Sequence, residues 1–169
     1  RRPLLERAGA YLVLGLINTA IPFTLFSFAT LSINAGLASL LNATTPMFGA
    51  LIAFAWLGER LSVLRVVGIC IGFVGIGLIV ATQSGAGAAG APLGIAAGLV
   101  ASALYGLAAS YARRHFQDRP PLEVAAGSVG GASIAMLPLA AWAWPESNPG
   151  AAAWGSALGL GALCTALAY

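Results

Sequence analysis

An all-α membrane protein is the fold this sequence predicts: a polytopic helical bundle with inverted repeats, six spans present and the last one truncated. Three observations carry that expectation. Hydrophobic residues make up 59% of the chain and charged residues only 8%, against about 25% charged in a soluble domain, and the mean hydropathy is +0.90. The apolar residues gather into six runs without charge, and about 20 such residues cross the hydrocarbon core. Finally, all eight basic residues are arginines, and they fall only in alternate junctions between the runs.

Residues 1–8, RRPLLERA, form a charged juncture before the first span, 9–31. This span holds Asn18, Thr19 and Pro22; a mid-membrane proline is tolerated where neighbours satisfy the freed carbonyl. Ser32-Ile33-Asn34 is a tight hairpin leading to the second span, 36–57. Along that span Ser39, Asn42, Pro46 and Gly49 recur at helical spacing with Thr45 beside them, a polar stripe that should face protein or a watery cavity. Gly58-Glu59-Arg60 opens a charged turn ending at Arg65, and the third span is 66–82. Residues 83–91, small and uncharged, read as a linker between two halves, 1–82 and 92–169. The fourth span is 93–112, and a polar loop with two prolines leads to the fifth, 124–142, with Glu123 at its rim. Trp142, Trp144 and Trp154 bracket the next loop, as aromatics do at a membrane interface. The sixth span, 153–169, stops inside an apolar run, so the chain reads as a fragment of a longer protein.

Orientation follows from the arginines. Arg1, Arg2 and Arg7 precede the first span, Arg60 and Arg65 follow the second, and Arg113, Arg114 and Arg119 follow the fourth; the other junctions hold none. The positive-inside rule puts the arginine loops in the cytoplasm and 83–91 in the periplasm. Residues 15–23 (GLINTAIPF) align without gaps on 161–169 (GALCTALAY), in spans of opposite direction. Chance similarity in an Ala/Leu-rich chain competes with a real repeat; a real one is the mark of inverted-repeat transporters.

The stretch AGLASLLNATTPMFGALIAFAWLGERLSVLRVVGICIGFVGIGLIV resembles the central helix pair of EamA-type permeases of the drug/metabolite transporter superfamily. The matching elements are Ala35-Gly36, Leu41-Asn42-Ala43-Thr44-Thr45-Pro46, Gly58-Glu59-Arg60-Leu61 and the glycine-rich run from Gly68 to Gly77. That family is built of five helices repeated upside down, ten in all. The resemblance implies that these spans are helices three to eight, 1–82 ending the first repeat and 92–169 beginning the second. It also implies a secondary transporter that moves small metabolites, such as amino acids or drugs, by alternating access across a bacterial cytoplasmic membrane.

Candidate residues each carry a competing reading. Asn18, Thr19, Asn42 and Thr45 are the best cavity candidates, since an amide or hydroxyl can replace water lost by a polar solute. Helix–helix glue is the alternative; it is favoured for the threonines, and stands level for Asn42. Tyr105 and Tyr169 could offer a ring and a hydroxyl to a solute, with plain packing as the alternative. Pro22 and Pro46 read as static kinks before hinges. Gly68, Gly72 and Gly75, and Gly94 and Gly98, form smooth faces for helix packing, with a homodimer contact the rarer use. Glu59 and Arg60 mark the cytoplasmic end of the second span, with a gate as the sharper alternative. Cys70 and Cys164 read as small core residues. No Asp, Glu, Lys, Arg or His lies inside any run, and neither metal-ligand spacing nor a nucleophile beside a base occurs. An enzyme is therefore disfavoured, no cofactor or metal is expected, and a coupling carboxylate would have to lie at a rim, as Glu123 does, or beyond these residues. Partners are a small-molecule substrate and the lipid bilayer, not nucleic acid. Composition leaves open a non-transporting structural or assembly subunit.

Overall fold

Among the described residues, five helices are long and apolar enough to cross a membrane: Ala8–Ala29, Ala35–Leu57, Val63–Thr82, Ala91–His115 and Pro121–Trp142. The computed structural model describes residues 7–83, 91–145, 148–159 and 161–162, and contains no strand among them. The sixth segment is helical over Ala151–Gly159; Cys164 and Tyr169 lie outside the described residues, as does the linker at 84–90. Several helices extend past their uncharged runs. The third begins at Val63 and takes Arg65 into its first turn, and the fourth continues to His115, with Arg113 and Arg114 in its last turn. A hydropathy run stops at the first charge, whereas a helix does not, because long arginine side chains reach the interface from within it. Cations also suit the carbonyl-rich end of a helix.

Two spans are interrupted, each beside a proline. Residues Leu16–Ala20 form a π-helical turn in which the Ile21 amide donates to the Leu16 carbonyl. Pro22 follows at once and has no N–H to give the Asn18 carbonyl, so the wider turn falls where the regular ladder must already fail. The second span breaks at Ala43–Thr44, between helices Ala35–Asn42 and Thr45–Leu57, with Pro46 in the first turn of the latter. Two ends of the second span carry ordinary caps. The Asn34 side chain accepts from the Leu37 amide at 2.8 Å, and Gly58 adopts φ +70°, the left-handed stop that glycine accommodates without strain.

The fourth span is the axis of the bundle. Gly94, Gly98, Ser102, Gly106 and Ser110 recur every four residues along it, and all are buried. This stripe meets the outer half of the first span and both pieces of the second. At Gly106 an added Cβ would stand 2.6 Å from the Gly49 amide nitrogen, so the two backbones touch. Gly98 admits the Leu41 side chain, and Gly94 admits Ser32. The fifth span packs on residues 8–20, with Gly131 against the backbone of Tyr11 and Leu12 and Gly15 against the Ser128 carbonyl. Without a hydrophobic force between helices in lipid, such close approach supplies the dispersion that holds them.

The third span departs from this pattern. Ile76 is its buried hydrophobic residue, while Ile71, Val74 and Leu78 stand exposed. Gly72 faces the Met47 side chain, but Gly68 and Gly75 meet open space among the described residues. Cys70 is exposed, contrary to the core position its apolar neighbours suggested. An apolar run in a membrane helix is no sign of burial in protein, because lipid satisfies it equally well.

Polar cross-links collect at one end. Arg7 donates to the His115 carbonyl at 2.7 Å and pairs with Asp118 at 3.1 Å. The Tyr11 hydroxyl donates to Glu123 at 2.8 Å, and Arg119 pairs with the same carboxylate at 3.3 Å. Arg113 pairs with Glu59, joining the fourth span to the end of the second. At the other end of the bundle the hairpin around Ser32 rests on Gly94, and Trp144 and Trp154 lie 5.9 Å apart, the latter donating to Asn148 at 3.2 Å.

Candidate functional site

The break in the second span decides where its polar groups point. Leu41 loses the regular i+4 bond there, and its carbonyl accepts instead from the Thr44 amide at 3.0 Å, the Thr44 hydroxyl at 2.6 Å and the Ser102 hydroxyl at 2.8 Å. Ser102 also lies 3.0 Å from the Gly98 carbonyl, so its single proton bridges two helices. With the backbone so occupied, the Asn42 side chain stays exposed. It lines a cavity of about 360 Å³ between the first, second and fourth spans, together with Phe23, Phe26, Ser27, Ser39 and Tyr105. Phe26 and Tyr105 lie nearly parallel with centroids 6.3 Å apart. This cavity occupies the half of the bundle away from the arginines, and no charged residue lines it. An amide, two serine hydroxyls and a phenol can replace several hydrogen bonds of a solute, while the rings cover its apolar part.

Asn18 does not join Asn42. It lines a separate cavity of about 370 Å³ between the first, fourth and fifth spans, whose other polar lining residues include Arg113, Gln117, Arg119 and Ser128. The stripe on the second span is divided likewise. Ser39 and Asn42 face the first cavity, whereas Pro46 and Gly49 face a crevice of about 540 Å³ against the third span, with Glu59, Arg65 and Arg113 at its polar end. The turn at Ala43–Thr44 separates what helical spacing would have kept on one face. Thr19 and Thr45 line none of these three spaces. The Thr45 hydroxyl is buried without a hydrogen-bond partner among the described residues, while its neighbour Thr44, which spacing does not single out, bonds the Leu41 carbonyl. Arg60 makes no ion pair among the described residues.

The sequence alone assigned no cavity or packing role to Thr44, Ser102, Phe23, Phe26, Gly15 or Gly106. One signal was available. The four-residue stride of small residues from Gly94 to Ser110 marks the face of the fourth span that other helices approach. Outside the spans, Asp118 has its carboxyl held below the ordinary 3.8, first by a hydrogen bond from its own backbone and further by Arg7. No cluster of three or more potential metal ligands occurs among the described residues.

Comparison with known proteins gives one family. The model of the EamA-like transporter family matches residues 1–81 and, in a second stretch, 92–169. No curated protein and no solved structure matches the chain.

Proposed function

The chain belongs to the EamA-like transporter family, and from that premise we propose that it is a secondary transporter and not an enzyme. It moves small metabolites such as amino acids or drugs by alternating access across a bacterial cytoplasmic membrane. The observation that carries this reading is the uncharged cavity at the broken second span, where Asn42, Ser27, Ser39 and Tyr105 converge with two phenylalanines. Its lining suits an uncharged or zwitterionic solute with an apolar part, since no fixed charge awaits an ion there. The arginine-bearing end faces the cytoplasm by the positive-inside rule; its ion pairs tie the spans together there, and the Asn42 cavity lies toward the other end. The two family matches, falling on either side of residues 82–91, support a division into two related halves.

Counterflow of a panel of radiolabelled amino acids, with the full-length protein in proteoliposomes, tests the reading. Asn42→Leu is expected to abolish flux while leaving the thermal midpoint nearly unchanged, because the amide is exposed and bonds no other group among the described residues. Undiminished flux in that variant would remove Asn42 from the pathway.

A further inference from the structure

The Thr45 hydroxyl is buried without a hydrogen-bond partner among the described residues, and the break beside it explains why. A threonine within a helix turns its hydroxyl to the carbonyl three or four residues back, which here means Asn42 or Leu41. The Leu41 carbonyl is full. It accepts from the Thr44 amide at 3.0 Å, the Thr44 hydroxyl at 2.6 Å and the Ser102 hydroxyl at 2.8 Å, against two lone pairs. The Asn42 carbonyl is in the opposite condition, because its regular donor would come from Pro46, which has no N–H. A spare hydroxyl and a carbonyl deprived of its donor therefore sit three residues apart and do not meet. The hydroxyl is already closed off within the described residues, so a partner from elsewhere reaches it only if the span itself moves.

We infer that the second span is a two-state element that exchanges hydrogen-bond donors at the Leu41 carbonyl. In the state described, Thr44 and Ser102 hold that carbonyl and the span is broken at Ala43–Thr44. In the other state the span is a continuous helix kinked at Pro46. The Thr45 amide returns to Leu41, the Thr44 amide to Leu40, and the Thr45 hydroxyl takes the Asn42 carbonyl in place of the donor that Pro46 lacks. Hydroxyls serve freed carbonyls beside membrane prolines in this way. Ser102 is not orphaned by the exchange, because it keeps the Gly98 carbonyl, 3.0 Å away. Each state thus satisfies a group that the other leaves open. The exchange also reaches the cavities. At the break Ser39 and Asn42 face the uncharged cavity, while Pro46 and Gly49 face the crevice toward the arginines; a continuous helix returns all four to one stripe. On the transport reading, which this use of the exchange rests on, one piece of the span turns on the other and moves Asn42 relative to a bound solute.

Spin labels at Ala35→Cys and Phe54→Cys, exposed positions on the two pieces of the span, read the exchange in the full-length protein lacking Cys70 and Cys164. Pulsed electron–electron distance measurements, made without substrate, are expected to show two populations. Thr45→Val removes a donor used only in the continuous helix and should deplete that population about fivefold, the worth of one hydrogen bond. Thr45→Ser, which keeps the hydroxyl, should restore it. Ser102→Ala removes a donor that Leu41 receives only at the break, and should shift the ratio about fivefold the other way. Thr45→Val should also slow flux by a similar factor while the protein stays folded. A single distance that neither substitution moves, a shift in the same direction by both, or Thr45→Ser behaving as Thr45→Val would each overturn the proposal. Undiminished flux in Thr45→Val beside a depleted population would overturn its part in transport. Absence of flux in the unsubstituted protein would instead count against the transport reading, because the distances are read without it.

Discussion

Thr44 and Thr45 stand side by side, yet their hydroxyls have opposite fates. The Thr44 hydroxyl caps the Leu41 carbonyl inside the protein, whereas that of Thr45 is buried with no partner among the described residues. Replacing Thr44 by Val should therefore cost about 1 kcal/mol, the usual worth of one such bond. Thr45→Val should be neutral or stabilising, since it removes a polar atom that gains nothing from burial. Unfolding of the purified protein by SDS titration measures both; equal losses would show that the two hydroxyls are equivalent. At this scale the sequence was readable only where a residue type is rare. Asn42 stands out because an amide is unusual in an apolar run. Which of two adjacent threonines turns inward depends on the break at Ala43–Thr44, and spacing counted along a regular helix does not include it. Asp118 adds a pH dependence. Its folded-state value is depressed, so its contribution is present above the ordinary value of 3.8 and is lost as pH falls through the depressed one. The thermal midpoint should fall on acidification below that value, and less steeply in Asp118→Asn; parallel curves would mean that Asp118 contributes no linkage.

Helices as whole elements were more legible than their interruptions. The spans show in the sequence because lipid demands long uncharged runs and arginines mark their ends. The π-turn at Leu16–Ala20 and the break before Thr45 were not read, although both lie within one turn of a proline. Proline removes a donor, but whether the chain answers with a wider turn, a break or a kink depends on its neighbours. Pro138, by contrast, sits within the continuous helix Pro121–Trp142. The contact between the second and fourth spans gives the element-scale test. A Cβ at Gly106 would stand 2.6 Å from the Gly49 nitrogen and 2.9 Å from the Phe48 carbonyl carbon, backbone atoms that cannot step aside alone. Gly106→Ala should cost about 1–3 kcal/mol, as overpacking does. Gly75→Ala, which meets open space among the described residues, should cost nothing and gain helix propensity, up to about 1 kcal/mol. Paired unfolding measurements separate the two, and an unaffected Gly106→Ala would place these helices farther apart than described.

On the scale of the whole molecule, the arrangement has two unlike ends. Arg7, Arg113, Arg119 and their acidic partners bind the first, second, fourth and fifth spans together at one end. The Asn18 cavity lies toward that end and the Asn42 cavity toward the other, on different sides of the first span. The grouping of arginines could be read from the chain, because it is a matter of which junctions hold charge. The separation of the two asparagines could not, because it depends on which helices touch, and composition carries no pairing information. Vectorial access to these cavities tests the transport reading most directly. In the full-length protein lacking Cys70 and Cys164, Asn42→Cys and Asn18→Cys are exposed in intact cells to a small membrane-impermeant thiol reagent, and then in inverted vesicles. The account expects position 42 to react from the periplasmic side and position 18 only from the cytoplasmic side. An unreactive cysteine at position 42 in a protein that still transports, or reaction of both positions from the same side, would contradict it.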